Sequence, residues 1–151
     1  MITIEEFKKK YSYKVRLIGL DLGSKKIGVS ICDEKQLIAT PFKTINKTNI
    51  NDLINQLKDI IEENNIKGIV VGNPINMDGS LGKSAQSVKD ICVNLSSKID
   101  LPFCLWDERL STVGAFNISS QLDVNVSKLE KNIDKNAATF ILQGALDYLN
   151  N

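Results

Sequence analysis

Apolar and polar positions follow two different periods along this 151-residue chain. Where apolar residues run together or alternate with polar ones, the pattern predicts strands, at residues 15–20, 27–32, 37–40, 67–71 and 102–106. Where they recur every three or four residues, the pattern predicts helices. These helices run from Ile50 to Asn64, from Leu81 to Leu95, and from Asp134 to Leu149.

The order of these elements, βββαβαβα, predicts an α/β domain. The first three strands are joined by tight connections and form an antiparallel meander, after which helices and strands alternate. Such an order gives a mixed central β-sheet with helices on both faces. We expect a single domain over residues 15–151, because a chain of this size can bury about 70% of its surface around one core. Residues 1–14 precede the first core strand and are predicted to be an N-terminal extension.

Composition narrows the class of protein. With 42% hydrophobic and 25% charged residues, the chain has the balance of an ordinary soluble domain. No apolar stretch approaches the ~18 residues of a membrane span, and the amino-terminal residues lack the pattern of a secretory signal. We therefore expect a cytoplasmic protein with no membrane partner. The three cysteines lie among apolar neighbours and are expected to be buried thiols.

The chain contains no histidine, which excludes several chemistries. Ser-His-Asp catalysis, Cys-His catalysis and His-ligated zinc all need that side chain. The formal net charge is +1, so the chain does not have the excess of cations that wraps a duplex through many phosphates. The net charge does not exclude a local basic groove on the surface. Chemistry must come from carboxylates, lysines, arginines, hydroxyls or a metal held by oxygen ligands.

Three acidic residues occupy positions from which they can converge. Asp21 follows the first strand, Glu108 follows the last strand, and Asp134 opens the last helix. Sites in open α/β sheets form outside the carboxyl ends of strands, so we expect Asp21 and Glu108 at one edge. Clustered carboxylates repel one another unless a cation neutralises them, and oxygen ligands favour Mg²⁺ or Mn²⁺. The trio therefore predicts a divalent-metal site able to activate water against a phosphodiester.

Each acid also has a purely structural interpretation. Asp21 can start a turn, Glu108 can belong to a solvated charge cluster, and Asp134 can cap its helix. Five further residues are candidates for substrate contact near the same edge: Lys25, Lys26, Asn73, Asn76 and Arg109. The cations would neutralise phosphate and the asparagines would donate hydrogen bonds. Surface charge and ordinary turn chemistry are the alternatives for these five.

Four motifs, taken in order, resemble those of a known family. They are GLDLGSKKIGV at 19–29, IVVGNPINMDG at 69–79, WDERLST at 106–112 and IDKNAATFIL at 133–142. Over roughly residues 15–149 the chain resembles the YqgF family. These are the Holliday-junction-resolvase-like proteins, regarded as nucleases of pre-16S ribosomal RNA, within the ribonuclease H-like superfamily.

The resemblance implies a ribonuclease H-like fold in which Asp21, Glu108 and Asp134 are the catalytic and metal-binding acids, with Mg²⁺ or Mn²⁺ as cofactor. It implies an endonuclease for structured nucleic acid, with 5′-end processing of pre-16S rRNA in ribosome maturation as its role. The ribosomal small-subunit precursor would then be a partner. Thr112, in the third motif, joins the substrate-binding candidates. Asn73 departs from the family pattern, in which an apolar residue is usual.

Three alternatives stay open. The same fold serves a Holliday junction (branched DNA) resolvase, and it also serves a non-catalytic nucleic-acid-binding module. An ATP-binding module of the actin-like kind carries a motif similar to the first one. That architecture needs two such domains around the nucleotide, whereas 151 residues supply one.

Overall fold

The computed structural model describes residues 1–11, 13–76, 78–110 and 133–151 of the chain, with the backbone alone for residues 133–136. Its elements, in chain order, are α1 (Ile4–Lys10), β1 (Leu17–Leu22), β2 (Lys26–Cys32), β3 (Ala39–Asn46), α2 (Ile50–Glu63), β4 (Gly68–Asn73), α3 (Lys83–Lys98), β5 (Phe103–Asp107), a 3₁₀ turn (Glu108–Leu110) and α4 (Ile133–Leu149).

Strand β1 lies at the centre of a five-stranded sheet of order β3-β2-β1-β4-β5. β1, β2 and β3 pair antiparallel, whereas β1, β4 and β5 run parallel to one another. The predicted mixed sheet is confirmed. The carboxyl ends of the three parallel strands meet at one edge, called the carboxyl edge here and marked by Asp21, Asn73 and Asp107.

Helices cover both faces of the sheet, as expected. On one face, α2 and α3 bury their apolar stripes, which consist of Leu53, Ile54, Leu57, Ile60, Ala85, Val88, Cys92 and Leu95. On the other face α4 buries Ala137, Ala138, Ile141, Leu142, Ala145, Leu146 and Leu149. Leu81, which the helical spacing placed on the buried face of α3, instead precedes that helix and is exposed.

The predicted boundaries of the third strand are wrong. The pattern placed that strand at residues 37–40, whereas β3 begins at Ala39 and continues to Asn46. The carboxylate of Asp33 accepts hydrogen bonds from the backbone N–H groups of Leu37 and Ile38, at 2.8 and 2.9 Å. These bonds hold both residues in the turn that precedes the strand, so their apolar side chains are left exposed.

Helix α4 packs very closely on the centre of the sheet. A Cβ atom added at Gly19 would lie 2.7 Å from the Cβ of Leu142 and 3.1 Å from the carbonyl oxygen of Ala138. The buried hydroxyl of Ser30 donates a 2.8 Å hydrogen bond to that same carbonyl. A glycine on β1 and a serine on β2 therefore fix the position of α4 against the sheet.

The amino-terminal residues form a helix that the sequence pattern did not predict. Thr3 caps α1 by accepting a hydrogen bond from the N–H of Glu6, and Phe7 is fully buried against the α4 face of the sheet. Before the helix, the N–H of Ile2 donates to the carbonyl of Phe103 at 2.9 Å. These residues therefore pack on the sheet. The division of the chain into an extension and a domain at residue 15 stays a prediction.

Two expectations from composition can be compared with the structure. All three cysteines, Cys32, Cys92 and Cys104, are free and buried, which confirms the prediction of buried thiols. Burial raises the pKa of Cys92 and of Cys104 to about 12, so neither is a ready nucleophile. Within the described ranges, no helix combines the length and the apolar character that crossing a membrane requires.

Candidate active site

Two carboxylates of the predicted trio meet at the carboxyl edge. Asp21 lies in β1, Glu108 directly follows β5, and β4 runs between these two strands. Leu20 of β1 pairs with Val71 of β4, so Asp21 lies level with Gly72, the next residue of β4. The carboxyl carbon of Glu108 is 3.3 Å from the point where a Cβ on Gly72 would be. The carboxyl group of Glu108 therefore lies over β4, one strand away from Asp21.

The electrostatics of Glu108 report the same proximity. Burial is the largest cause that raises the pKa of its carboxyl from 4.5 to about 7, and the charges of Asp21 and Asp107 raise it further in that direction. Two effects thus disfavour the ionised form of Glu108, namely lost hydration and repulsion by other carboxylates. A cation placed between Asp21 and Glu108 would remove the second effect and offset the first.

Both carboxylates lie on the side of the sheet that α4 covers. Gly19 and Gly72 contact α4 through Leu142 and Ile141, and Asp21 shares the face of Gly19 because side chains alternate along a strand. Helix α4 runs away from the carboxyl edge, since Asn150, just beyond its end, donates to the carbonyl of Gln36 in the turn between β2 and β3. The first turn of α4 therefore starts near the two carboxylates.

Asp134 is the second residue of α4. Its backbone belongs to the turn that begins near the carboxyl edge. Its side chain lies outside the described residues. The role of Asp134 as the third acid therefore stays a prediction.

Arg109 is held by its neighbour two residues earlier. Its Nε and Nη2 atoms donate to the carboxylate of Asp107 at distances of 2.7 to 3.1 Å, and its backbone N–H donates to the same group at 3.0 Å. This pairing lowers the pKa of Asp107 and raises that of Arg109. The remaining atom, Nη1, lies 3.7 Å from the point where a Cβ on Gly79 would be. Arg109 thus reaches from β5 to the loop that follows β4.

The described residues of that loop, 74–76 and 78–82, are held by hydrogen bonds to one another. The side-chain amide of Asn76 donates to the hydroxyl of Ser80 at 3.0 Å, and Ser80 donates through its N–H and hydroxyl to Asp78. Gly79 has φ +88°, a left-handed conformation that favours glycine, and its N–H donates to the carbonyl of Asn76 at 2.8 Å. Asn76 therefore shapes the loop, and any contact with substrate would add to that role.

The other substrate-binding candidates are placed as follows. Lys25 lies in the turn between β1 and β2, Lys26 is the first residue of β2, and both side chains are exposed. Asn73 ends β4 at the carboxyl edge and pairs with Asp107. Thr112 lies outside the described residues. Their contacts with substrate stay predictions.

Asp107 is a residue of the site that sequence reasoning missed. Its carboxylate raises the pKa of the neighbouring Glu108 and forms an ion pair with Arg109. A carboxylate and an arginine two residues apart at the end of a strand were the available signal. Within the part of the chain whose side chains are described, no three His, Cys, Asp or Glu residues are grouped closely enough to hold a metal ion.

A mixed five-stranded sheet of this strand order, flanked by helices on both faces, is a ribonuclease H-like fold. The fold is similar to that of T. thermophilus RuvC in complex with Holliday junction substrate, with a TM-score of 0.54. That similarity covers 89% of this chain and 94% of RuvC at 10% sequence identity, so it concerns the fold alone.

The chain belongs to the RuvX family, described as Holliday junction resolvase, whose model matches residues 15–148. This confirms the resemblance to the YqgF family. A protein of Pelagibacter ubique (strain HTCC1062) named "Putative pre-16S rRNA nuclease" is 75% identical over 151 residues, which is 100% of both chains. A protein of the same name from Chelativorans sp. (strain BNC1) is 44% identical over 149 residues, covering 99% of this chain and 93% of that one.

Proposed function

We propose that this protein is a divalent-metal-dependent endonuclease that hydrolyses phosphodiester bonds near the 5′ end of pre-16S rRNA. The pairing of Asp21 with Glu108 at the carboxyl edge carries the proposal. The names of its relatives supply the substrate. Such a role would place the protein in the cytoplasm, in contact with the precursor of the small ribosomal subunit.

The residues present fit Mg²⁺ or Mn²⁺. Glu108 is half-buried beside Asp21, and its pKa is raised first by burial and then by the charge of Asp21, so two carboxylates lie close enough to share a cation. Both ions prefer carboxylate oxygens, and the chain offers no histidine to favour zinc. Asp21 and Glu108 would hold the metal, and Asp134 would complete the set. Bound there, the metal would supply an activated water and would stabilise the leaving oxygen of the phosphodiester.

The protein's own residues would position the substrate around those carboxylates. The ion pair of Asp107 with Arg109 holds the turn from which Glu108 projects over Gly72. Lys25 and Lys26 would neutralise phosphate on the β1 side of the edge. The loop of residues 74–82 would line the other side and position the strand without selecting a sequence.

The test is cleavage of a 5′-extended pre-16S rRNA fragment by the wild type in Mn²⁺, in Mg²⁺ and in EDTA. We expect cleavage only with metal. The cleavage rate should fall by more than about 100-fold in Asp21→Asn, Glu108→Gln and Asp134→Asn, because mutating even a group that only hydrogen-bonds a metal ligand lowers metal affinity or activity by about 10- to 100-fold. Asp59→Asn, on the exposed side of α2, is the matched control and should cleave normally. Cleavage unchanged in all three acid variants would contradict the assignment.

A four-way DNA junction is the second substrate in the same assay, because the family that matches this chain is described as Holliday junction resolvase. Metal-dependent cleavage of the junction and not of the RNA would replace the first substrate with the second. Binding of either substrate without cleavage, by folded protein in the presence of metal, would instead make the chain a non-catalytic nucleic-acid-binding module.

A further inference from the structure

A second polar cleft opens next to the candidate active site, on the other face of the sheet. It has a volume of about 290 Å³, and its polar walls are formed by Ser24, Lys47, Lys83, Ser84 and Ser87. Leu22 and Val88 contribute apolar surface, and Gly23 and Pro74 complete its lining. We call it the Lys47–Lys83 cleft. Neither lysine was among the substrate-binding candidates from the sequence.

The side chains of this cleft offer donors and positive charge. Among the described residues that line it, there is no aspartate or glutamate. In the described part of the chain, neither Lys47 nor Lys83 forms an ion pair, and the hydroxyls of Ser24, Ser84 and Ser87 form no hydrogen bond. Two cations and three hydroxyls without a partner among the described residues are suited to an anion with several oxygens.

The cleft continues directly from the carboxyl edge. Its residues Leu22 and Gly23 follow Asp21 at the end of β1, and Pro74 follows Asn73 at the end of β4. Lys47 is held against the same turn, because its backbone N–H donates to the carbonyl of Lys25 at 2.9 Å. A polymer bound across Asp21 would therefore reach the cleft within a short length of its backbone.

The fold brings the two lysines together from distant parts of the chain. Lys47 follows β3, and Lys83 is the first residue of α3. The cleft also contains the start of α3, where the first backbone N–H groups have no partner within the helix. That end carries no acidic residue in its first turn and no side-chain cap, so nothing in α3 itself competes with an anion.

We propose that the Lys47–Lys83 cleft binds a backbone phosphate of the nucleic-acid substrate, one that flanks the phosphodiester presented to Asp21 and Glu108. Lys47 and Lys83 neutralise this phosphate, and Ser24 and Ser84 donate hydrogen bonds to it. The inference rests on the proposed function for the identity of the ligand. It adds a contact that positions the strand and takes no part in the hydrolysis itself.

The experiment measures binding of the 5′-extended pre-16S rRNA fragment in EDTA, by fluorescence anisotropy over a range of salt concentrations. The variants are Lys47→Gln, Lys83→Gln and the pair together. We expect the double variant to weaken binding about three- to tenfold and to reduce the slope of log Kd against log salt by about 0.7, the value for one phosphate contact on a single strand. Arginine at both positions should restore the slope, because it keeps the charge.

The control is Lys89→Gln, an exposed lysine further along α3 that does not line the cleft. A double variant that binds with the same affinity and slope as this control would overturn the proposal. Ser84→Ala, which leaves the net charge unchanged, should weaken binding without changing the slope. An unchanged affinity in this variant would mean that the Ser84 hydroxyl does not contact the phosphate.

The two proposals fail in different ways. If the wild type cleaves with metal but the double variant binds like the Lys89→Gln control, the cleft proposal is wrong and the nuclease stands. If the wild type binds but does not cleave, the nuclease is wrong, and loss of affinity in the double variant would still support a phosphate site. If the wild type binds neither RNA nor the DNA junction, both proposals are wrong.

Discussion

Glu108 should make the stability of the metal-free protein depend on pH in a direction opposite to that of most carboxylates. Its pKa rises from 4.5 to about 7 on folding, mainly through burial and then through the charge of Asp21. Between these two values the folded protein keeps a proton that the unfolded chain has released. The free energy of unfolding therefore falls as pH rises through this window. Below the window Glu108 is neutral in both states and no longer makes the free energy of unfolding depend on pH.

The size of the effect follows from the two pKa values. At 1.36 kcal/mol for each pH unit, the difference between 4.5 and about 7 corresponds to about 3 kcal/mol lost by pH 8. Glu108→Gln has no proton to release and should escape this loss. We expect the variant and the wild type to be similar near pH 4.5, and the variant to be more stable by up to about 3 kcal/mol at pH 8.

The assay is urea denaturation of both proteins in EDTA at several pH values from 4.5 to 8. The difference between the two proteins isolates Glu108, since the other titrating groups are common to both. Glu62→Gln, exposed on α2, is the matched control for the exchange of a carboxyl for an amide. A difference that stays flat for Glu108→Gln as well, or a variant that is less stable at pH 8, would refute the geometry described for this carboxyl.

The same samples test the metal without any cleavage. Mn²⁺ at 100 times its Kd should stabilise the wild type by about 2.7 kcal/mol at pH 8, because it binds the folded state alone. Glu108→Gln lacks one proposed ligand, so Mn²⁺ should stabilise this variant much less. Equal gains in the two proteins would place the cation elsewhere.

Two further predictions concern the scaffold and are checked by urea denaturation near neutral pH. Ser30→Ala removes the buried hydrogen bond to the carbonyl of Ala138 and should lower the free energy of unfolding by about 1–2 kcal/mol. The control Ser96→Ala, at the surface of α3, should lower it by less than about 0.5 kcal/mol. Equal losses in the two variants would mean that the contact with α4 contributes nothing. Phe7→Ala should lower the free energy of unfolding by about 3–5 kcal/mol because Phe7 is fully buried. The control Phe42→Ala, at a partly exposed position of β3, should lower it clearly less. A small loss at Phe7 would mean that α1 does not contribute to the core.

The sequence predicts the framework well because the framework depends on local periodicity. Helix α2 was predicted to begin at Ile50 and does so, and the buried face of α4 matches its three- and four-residue spacing. The third strand was misplaced because a side-chain contact decided it. Asp33 binds two backbone N–H groups and holds Leu37 and Ile38 in a turn, although both side chains are apolar. Periodicity carries no information about such a bond.

The candidate site also has parts that the sequence predicts and parts that depend on the tertiary fold. The ends of strands can be predicted, and with them the positions of Asp21 and Glu108 at one edge. The Lys47–Lys83 cleft could not be predicted, because its lysines belong to different elements whose proximity depends on the strand order of the sheet. Gly72 appears in the sequence only as part of a turn-rich loop. In the structure, the absence of its side chain leaves room for the Glu108 carboxyl and for Ile141 of α4.

The segment Asp107-Glu108-Arg109 shows how three adjacent charges acquire different roles. Composition alone favours a solvated cluster for all three, and for Asp107 and Arg109 that interpretation is close to the structure, where they form an ion pair near the surface. Glu108 differs because β5 ends at Asp107 and the 3₁₀ turn begins at Glu108. The change in backbone direction sends the middle side chain over β4 toward Asp21 while its neighbours pair with each other. The Nε and Nη2 donors of Arg109 are directed to Asp107, which fixes the orientation of the guanidinium. Burial and then the charge of Asp21 raise the pKa of Glu108, and a divalent cation bound between the two carboxylates would oppose both effects.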